Sequence, residues 1–152
     1  MALTSLNSVE QSTVDDLVSK GRIERVLADA NRAATFLSRA AAAIADVDKL
    51  THPDVAYNVA YDACHDVGEA VLAAYGYRTK AANGQHEAVG QFLKAVFTSP
   101  PGNEAAASYD TLRRARNRTR YTATPVGRTQ VDHARAVAQG LLAAAMSRGV
   151  GK

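Results

Sequence analysis

From Thr51 to Gly76 the chain keeps a single helical rhythm without a break. Thr51-His52-Pro53 opens it, with proline in the first turn, where its missing N–H leaves nothing unsatisfied. Val55, Val59, Ala63, Val67, Ala70, Val71 and Ala74 follow at helical spacing, and Gly76 supplies the left-handed stop. The other segments read the same way. Ser12 or Thr13 caps a short first helix carrying Val14, Leu17 and Val18, stopped by Gly21. A second runs from about Asp29 to Val47, with Ala33, Phe36, Leu37, Ala40 and Ile44 on one face. A fourth, from about Gln85 to Phe97, turns Ala88, Val89, Phe92, Leu93 and Val96 inwards. Ser99-Pro100-Pro101-Gly102 breaks the chain into a loop before a fifth helix, about Glu104 to Tyr121. Thr129 and Asp132, spaced as an acidic form of the capping box, start a last helix that fades near Met146. No segment alternates as a strand would. The expectation is an all-α, up-and-down bundle of four to five main helices plus a short N-terminal helix. It occupies residues 12–148 as one domain, with tails at 1–11 and 149–152.

A chain of 152 residues can build a real core without disulfides or metals. Its single cysteine, Cys64, has no partner for an intramolecular disulfide and sits in the apolar rhythm of the third helix, as a small buried hydrophobe does. Residues 1–10 have neither the charged start nor the apolar centre of a signal peptide. No apolar run approaches the roughly 20 residues that span a bilayer. A cytoplasmic protein is expected, with no membrane partner.

Charge is distributed unevenly. Five arginines lie between Arg113 and Arg120, and removing them from the formal net charge of +3 leaves −2 for the rest of the chain. The basic character is a patch, and a patch points to an anionic partner. Wound as a helix, Arg113, Asn117 and Tyr121 form one row and Arg116 with Arg120 a second, while Leu112, Ala115 and Thr119 lie opposite. Asparagine is a poor helix-interior residue because its amide competes for backbone hydrogen bonds, so Asn117 within an arginine row suggests a task for its side chain. Runs of charge are often just solvated helix faces. Here no Asp or Glu lies between Thr111 and Gln130, so nothing within the run pairs with the arginines. That favours a functional patch.

Little other chemistry is written into the chain. It has no Gly-x-Ser-x-Gly turn and no glycine-rich phosphate loop. The histidines stand at 52, 65, 86 and 133, and His65 with Glu69 reads as a surface pair rather than a metal site. His86 follows Asn83-Gly84-Gln85 at the start of the fourth helix, either as an end-of-helix hydrogen-bonding group or beside the arginine patch. Tyr57, Tyr61, Tyr75 and Tyr77 cluster around the third helix as core filler with wet hydroxyls, or as stacking platforms for bases. Asp62, Asp66 and Glu69 form an acidic row that either faces the arginine helix or faces water.

Several short motifs, in order, resemble one family. They are Ala56-Tyr57-Asn58-Val59-Ala60-Tyr61-Asp62-Ala63, then Leu72-Ala73-Ala74-Tyr75-Gly76-Tyr77-Arg78, then Gly84-Gln85-His86, then Leu112-Arg113-Arg114-Ala115-Arg116-Asn117-Arg118-Thr119-Arg120-Tyr121. Together with the opening at Asp16 to Glu24, this pattern is similar to HEPN domains, small helical domains named for nucleotide binding in higher eukaryotes and prokaryotes. It is nearest an actinobacterial subfamily with an Arg-Asn-x-x-x-Tyr motif, and it covers roughly residues 12–145. The resemblance implies a homodimer with the arginine motif in a cleft near the two-fold axis. It also implies RNA or a nucleotide as ligand and a role in toxin–antitoxin, defence or RNA-regulatory systems, where a nucleotidyltransferase antitoxin is a frequent partner. Many such domains are metal-independent ribonucleases with an Arg-Asn-x-x-x-His motif and no cofactor. Here Arg116 and Asn117 match its first two positions, while Tyr121 stands where histidine belongs. Tyrosine, with a pKa of about 10, exchanges protons poorly near neutrality. The expected site is therefore a degenerate catalytic set, Arg116, Asn117 and Tyr121, within an RNA- or nucleotide-binding surface of Arg113, Arg114, Arg116, Asn117, Arg120 and His86. Two other readings stay open: an active ribonuclease toxin in which Tyr121 or His86 replaces the missing histidine, and an interaction module whose patch docks an acidic protein partner.

Overall fold

A computed structural model describes residues 2–80 and 84–151 of the chain. Asn83, read as part of the turn before the fourth helix, lies outside the described residues, as do Met1 and Lys152 at the ends of the two tails. The fold is all-α, and the described residues form six helices in the order α1 Ser8–Ser19, α2 Ala30–Asp46, α3 Pro53–Tyr75, α4 Gln85–Val96, α5 Gly102–Thr122 and α6 Arg128–Ser147. A single 3-10 turn, Val47–Lys49, joins α2 to α3. Among the described residues no helix is long and apolar enough to cross a membrane.

Helix α3 is the axis of the molecule. It packs on α2, α4, α5 and α6 and is buried along most of its length, from Ala56 and Tyr57 to Ala73 and Ala74. Alanine and glycine make that possible by letting neighbouring backbones approach. A Cβ at Gly68 would lie 2.2 Å from Val89 Cγ1 of α4, so the two helices could not pack this closely around any larger residue. Val55 was expected to face inwards, yet it is 49 % exposed, because Ala56, Tyr57, Ala60 and Tyr61 take the buried positions at this end of α3. Gly76, at φ 83°, closes the helix as expected.

The largest departures lie near the N-terminus. Helix α1 starts at Ser8, ahead of Ser12 and Thr13, because Asn7 and Glu10 form a reciprocal capping box at 2.8 and 3.1 Å. Two three-residue strands, β1 Ile23–Arg25 and β2 Tyr77–Thr79, pair antiparallel with Glu24 opposite Arg78. Strands this short hold no readable alternation. Helix α6 is opened by Gln130, whose side-chain oxygen accepts the Gly127 N–H at 3.0 Å, and not by Thr129 with Asp132. Residues on both sides of the domain meet at a buried clasp. Glu10, only 3 % exposed, accepts hydrogen bonds from Thr98 and from Arg148, the latter at 3.2 Å, and Arg148 Nε donates to the Tyr75 hydroxyl at 2.9 Å.

Candidate anion-binding site

The basic half of α5 presents two different faces. Leu112 is buried, Ala115 and Thr119 are half-buried, and Arg113 and Arg116 lean inwards with them. Arg114, Asn117, Arg118 and Arg120 are exposed, and Tyr121 is 91 % exposed. The patch is not free of acid. Asp110, three residues before Arg113, pairs with Arg113 at 3.1 Å and Arg114 at 2.9 Å, correcting the expectation that no helical ion pair tempers the row. Among the described residues Arg116 has no such carboxylate. Its guanidinium carbon lies 4.5 Å from the centre of the Tyr61 ring, and its buried Nε finds no hydrogen-bond acceptor. The Nε of Arg113 is in the same position.

Tyr61 links Arg116 to a column of aromatic rings. The His86 ring, from the first turn of α4, lies parallel to Tyr61 at 5.7 Å, and its Nδ1 is 2.8 Å from the Tyr61 hydroxyl. His65 stacks on His86 at 4.2 Å. Tyr109 of α5 stacks on Tyr61 at 5.7 Å, with its hydroxyl 3.5 Å from His65 Nδ1. Glu69 Oε1 lies 3.4 Å from His65 Nε2 without hydrogen-bond geometry. His65 and Glu69 were expected as a surface pair; their side chains are only 18 and 12 % exposed, and His65 belongs to the column. Of the two roles open to His86, the position beside the arginines is the one it occupies. The acidic row divides: Asp62 faces water, Asp66 feels His65 on α3 and Arg39 on α2, and Glu69 turns to His65.

Electrostatics follow from this packing. Burial, with the nearby His65 and Arg116, pushes the His86 imidazole down to about 4, so it is uncharged at neutral pH. Burial raises Tyr61 despite the neighbouring Tyr109 hydroxyl and the charge of Arg116, and burial with Tyr61 holds Tyr109 well above the ordinary range. Both hydroxyls therefore keep their protons. The Tyr61 hydroxyl and His86 Nδ1, 2.8 Å apart, share one hydrogen bond, which Tyr61 donates when the imidazole proton is on Nε2. Cys64 is fully buried with its thiol pushed far up, so it acts as the inert apolar residue expected.

The structure thus brings Arg113, Arg116 and His86 together. Asn117 and Tyr121 lie on the outer face, and Arg120 lines a separate hollow of about 300 Å³ with Asp54, Tyr57 and Asn58. Sequence reasoning did not assign Tyr61, His65, Glu69 and Tyr109 to the site. One signal was there: Tyr61, His65 and Glu69 follow at i, i+4, i+8 on α3, so they share one face. Among the described residues no three His, Cys, Asp or Glu side chains converge on a metal-sized position. No family profile, curated protein or solved structure matches the chain. The site is that of an all-helical protein with an unpaired arginine against neutral imidazole and phenol groups.

Proposed function

We propose that the protein is an HEPN-like RNA- or nucleotide-binding protein of a toxin–antitoxin, defence or RNA-regulatory system, holding phosphate through Arg116 and Arg113. The observation that carries this reading is Arg116: a half-buried guanidinium with no carboxylate and no acceptor for its Nε among the described residues, beside a neutral His86. A phosphate oxygen is a strong acceptor for such a donor. Arg114, Asn117, Arg120 and Tyr121 supply an exposed rim along which a nucleic-acid backbone runs. Binding is then mainly electrostatic. Anisotropy of a labelled oligoribonucleotide across a salt series tests it. Changing Arg113, Arg116 and Arg120 to alanine should weaken binding and flatten its salt dependence by about one unit of slope per lost phosphate contact. Equal slopes for wild type and variant would remove the patch from the interface.

His86 beside Arg116 favours a second reading, a metal-independent endoribonuclease in which His86 and not Tyr121 moves the proton. A proton carrier commonly contributes about 10²–10⁴-fold. Under this reading, cleavage by the purified protein survives Tyr121→Phe and disappears in His86→Ala. Cleavage that depends on Tyr121 instead would return the role to the Arg-Asn-x-x-x-Tyr motif.

A further inference from the structure

His86 is surrounded by groups that disfavour its charge in the free protein and that can also accommodate it. From α3 it meets the Tyr61 hydroxyl, the His65 ring and, beyond that ring, the Glu69 carboxylate. From α5 come Arg116 and Arg113, the second already shared with Asp110, together with Tyr109. Its own helix adds Glu87 in the same first turn. The His65 ring, two guanidinium charges and one half-buried carboxylate therefore set the field at the imidazole. Burial is the largest cause of the ring's neutrality, and an anion seated at Arg116 offsets the guanidinium repulsion that adds to it.

The Tyr61 hydroxyl can serve His86 in either state. With His86 neutral and its proton on Nε2, Tyr61 donates to Nδ1 at 2.8 Å. With His86 protonated, Nδ1–H donates to the Tyr61 oxygen across the same contact. The hydrogen bond to the imidazole is kept, which lets a buried polar group take a new proton at lower cost. The added proton comes from solvent and no bond to carbon or phosphorus changes.

We propose that capture of a phosphate group at Arg116 is coupled to uptake of one proton by His86, with the Tyr61 hydroxyl turning from donor to acceptor to hold it. This rests on the anion-binding reading above and adds a direction: the site holds phosphate more tightly as pH falls. The shared ligand chemistry is the phosphate group, whether from a nucleotide or from an RNA backbone.

Sulfate is the cleanest first probe, because it stays dianionic through the working range and any proton taken up must go to the protein. Ring resonances of the four histidines are followed against pH with and without sulfate. The His86 midpoint should rise by about one pH unit or more when sulfate is present, while exposed His52 and His133 stay in place. Uridine monophosphate and an oligouridylate without terminal phosphates then separate the two sources of phosphate. Whichever binds, its affinity should climb as pH falls, towards the one-proton limit of about tenfold per pH unit. His86→Gln should flatten that climb, His133→Gln should leave it, and Arg116→Ala should weaken binding itself about 10- to 100-fold. Binding that is flat with pH in the wild type, or a His86 midpoint unmoved by bound sulfate, overturns the coupling while the anion site stands. Failure of all three probes to bind overturns both.

Discussion

Arg116 and Arg114 sit two residues apart and differ in what surrounds them. Arg114 is exposed and shares Asp110, whereas Arg116 packs on Tyr61 with no carboxylate of its own. Hydrogen bonds to charged groups contribute about 1.5–3 kcal/mol, so Arg116→Ala should weaken oligoribonucleotide binding about 10- to 100-fold. Arg114→Ala should cost only a fraction of that, and a reversed ranking in the same anisotropy assay would move the site to the outer face of α5. Glu10 gives a second prediction at this scale. Burial alone would raise its carboxyl, but hydrogen bonds from Thr98 and Asn7 and the charge of Arg148 outweigh burial and hold it below its ordinary 4.5. A depressed carboxyl stabilises the fold above its unfolded-state value, and that contribution is lost as pH falls through the lower folded-state value. Wild type should therefore out-melt Glu10→Gln at neutral pH, with the gap closing below 4.5. A gap that is constant with pH would assign Glu10 a packing role only.

Among the elements, the contact between α3 and α4 is the one with least tolerance. Val89 is β-branched and held in one rotamer, so Gly68→Ala forces the helices apart and should destabilise by about 1–3 kcal/mol. Val89→Ala should relieve part of this, giving a double variant more stable than the sum of the two losses; strict additivity in urea melts would mean the helices do not meet there. The helices themselves were legible in the chain because each carries its own period and its own stop, as Gly76 does for α3. The start of α1 was not, since the apolar rhythm begins at Val14 while the cap sits at Asn7. The β1–β2 ribbon was not either, because its pairing joins residues whose local sequence states nothing about each other. Arg116 and His86 were legible as residue types that bind phosphate. Their meeting through Tyr61 was not, because i, i+4 spacing tells which residues share a face and leaves open which face of which helix comes opposite.

Over the whole molecule, positive charge collects on α5, while the clasp of Glu10, Arg148 and Tyr75 closes the opposite ends of the chain. One copy offers a single arginine row, and a symmetric pair placing α5 near its axis would double the field over a shared cleft. A dimer of that kind is expected by light scattering at tens of micromolar, and it should weaken when the exposed Tyr121 is changed to Glu; a monomer throughout would confine the site to one chain. The tyrosine at the centre of the site has one further consequence. The chain contains no tryptophan and six tyrosines, and two of the six, Tyr61 and Tyr109, are stacked in the column beside Arg116 and His86. Protonated imidazole quenches phenol emission more strongly than neutral imidazole does. If His86 takes up a proton with the anion, the protein's own ultraviolet fluorescence should fall as the site fills, with no dye attached and no residue replaced.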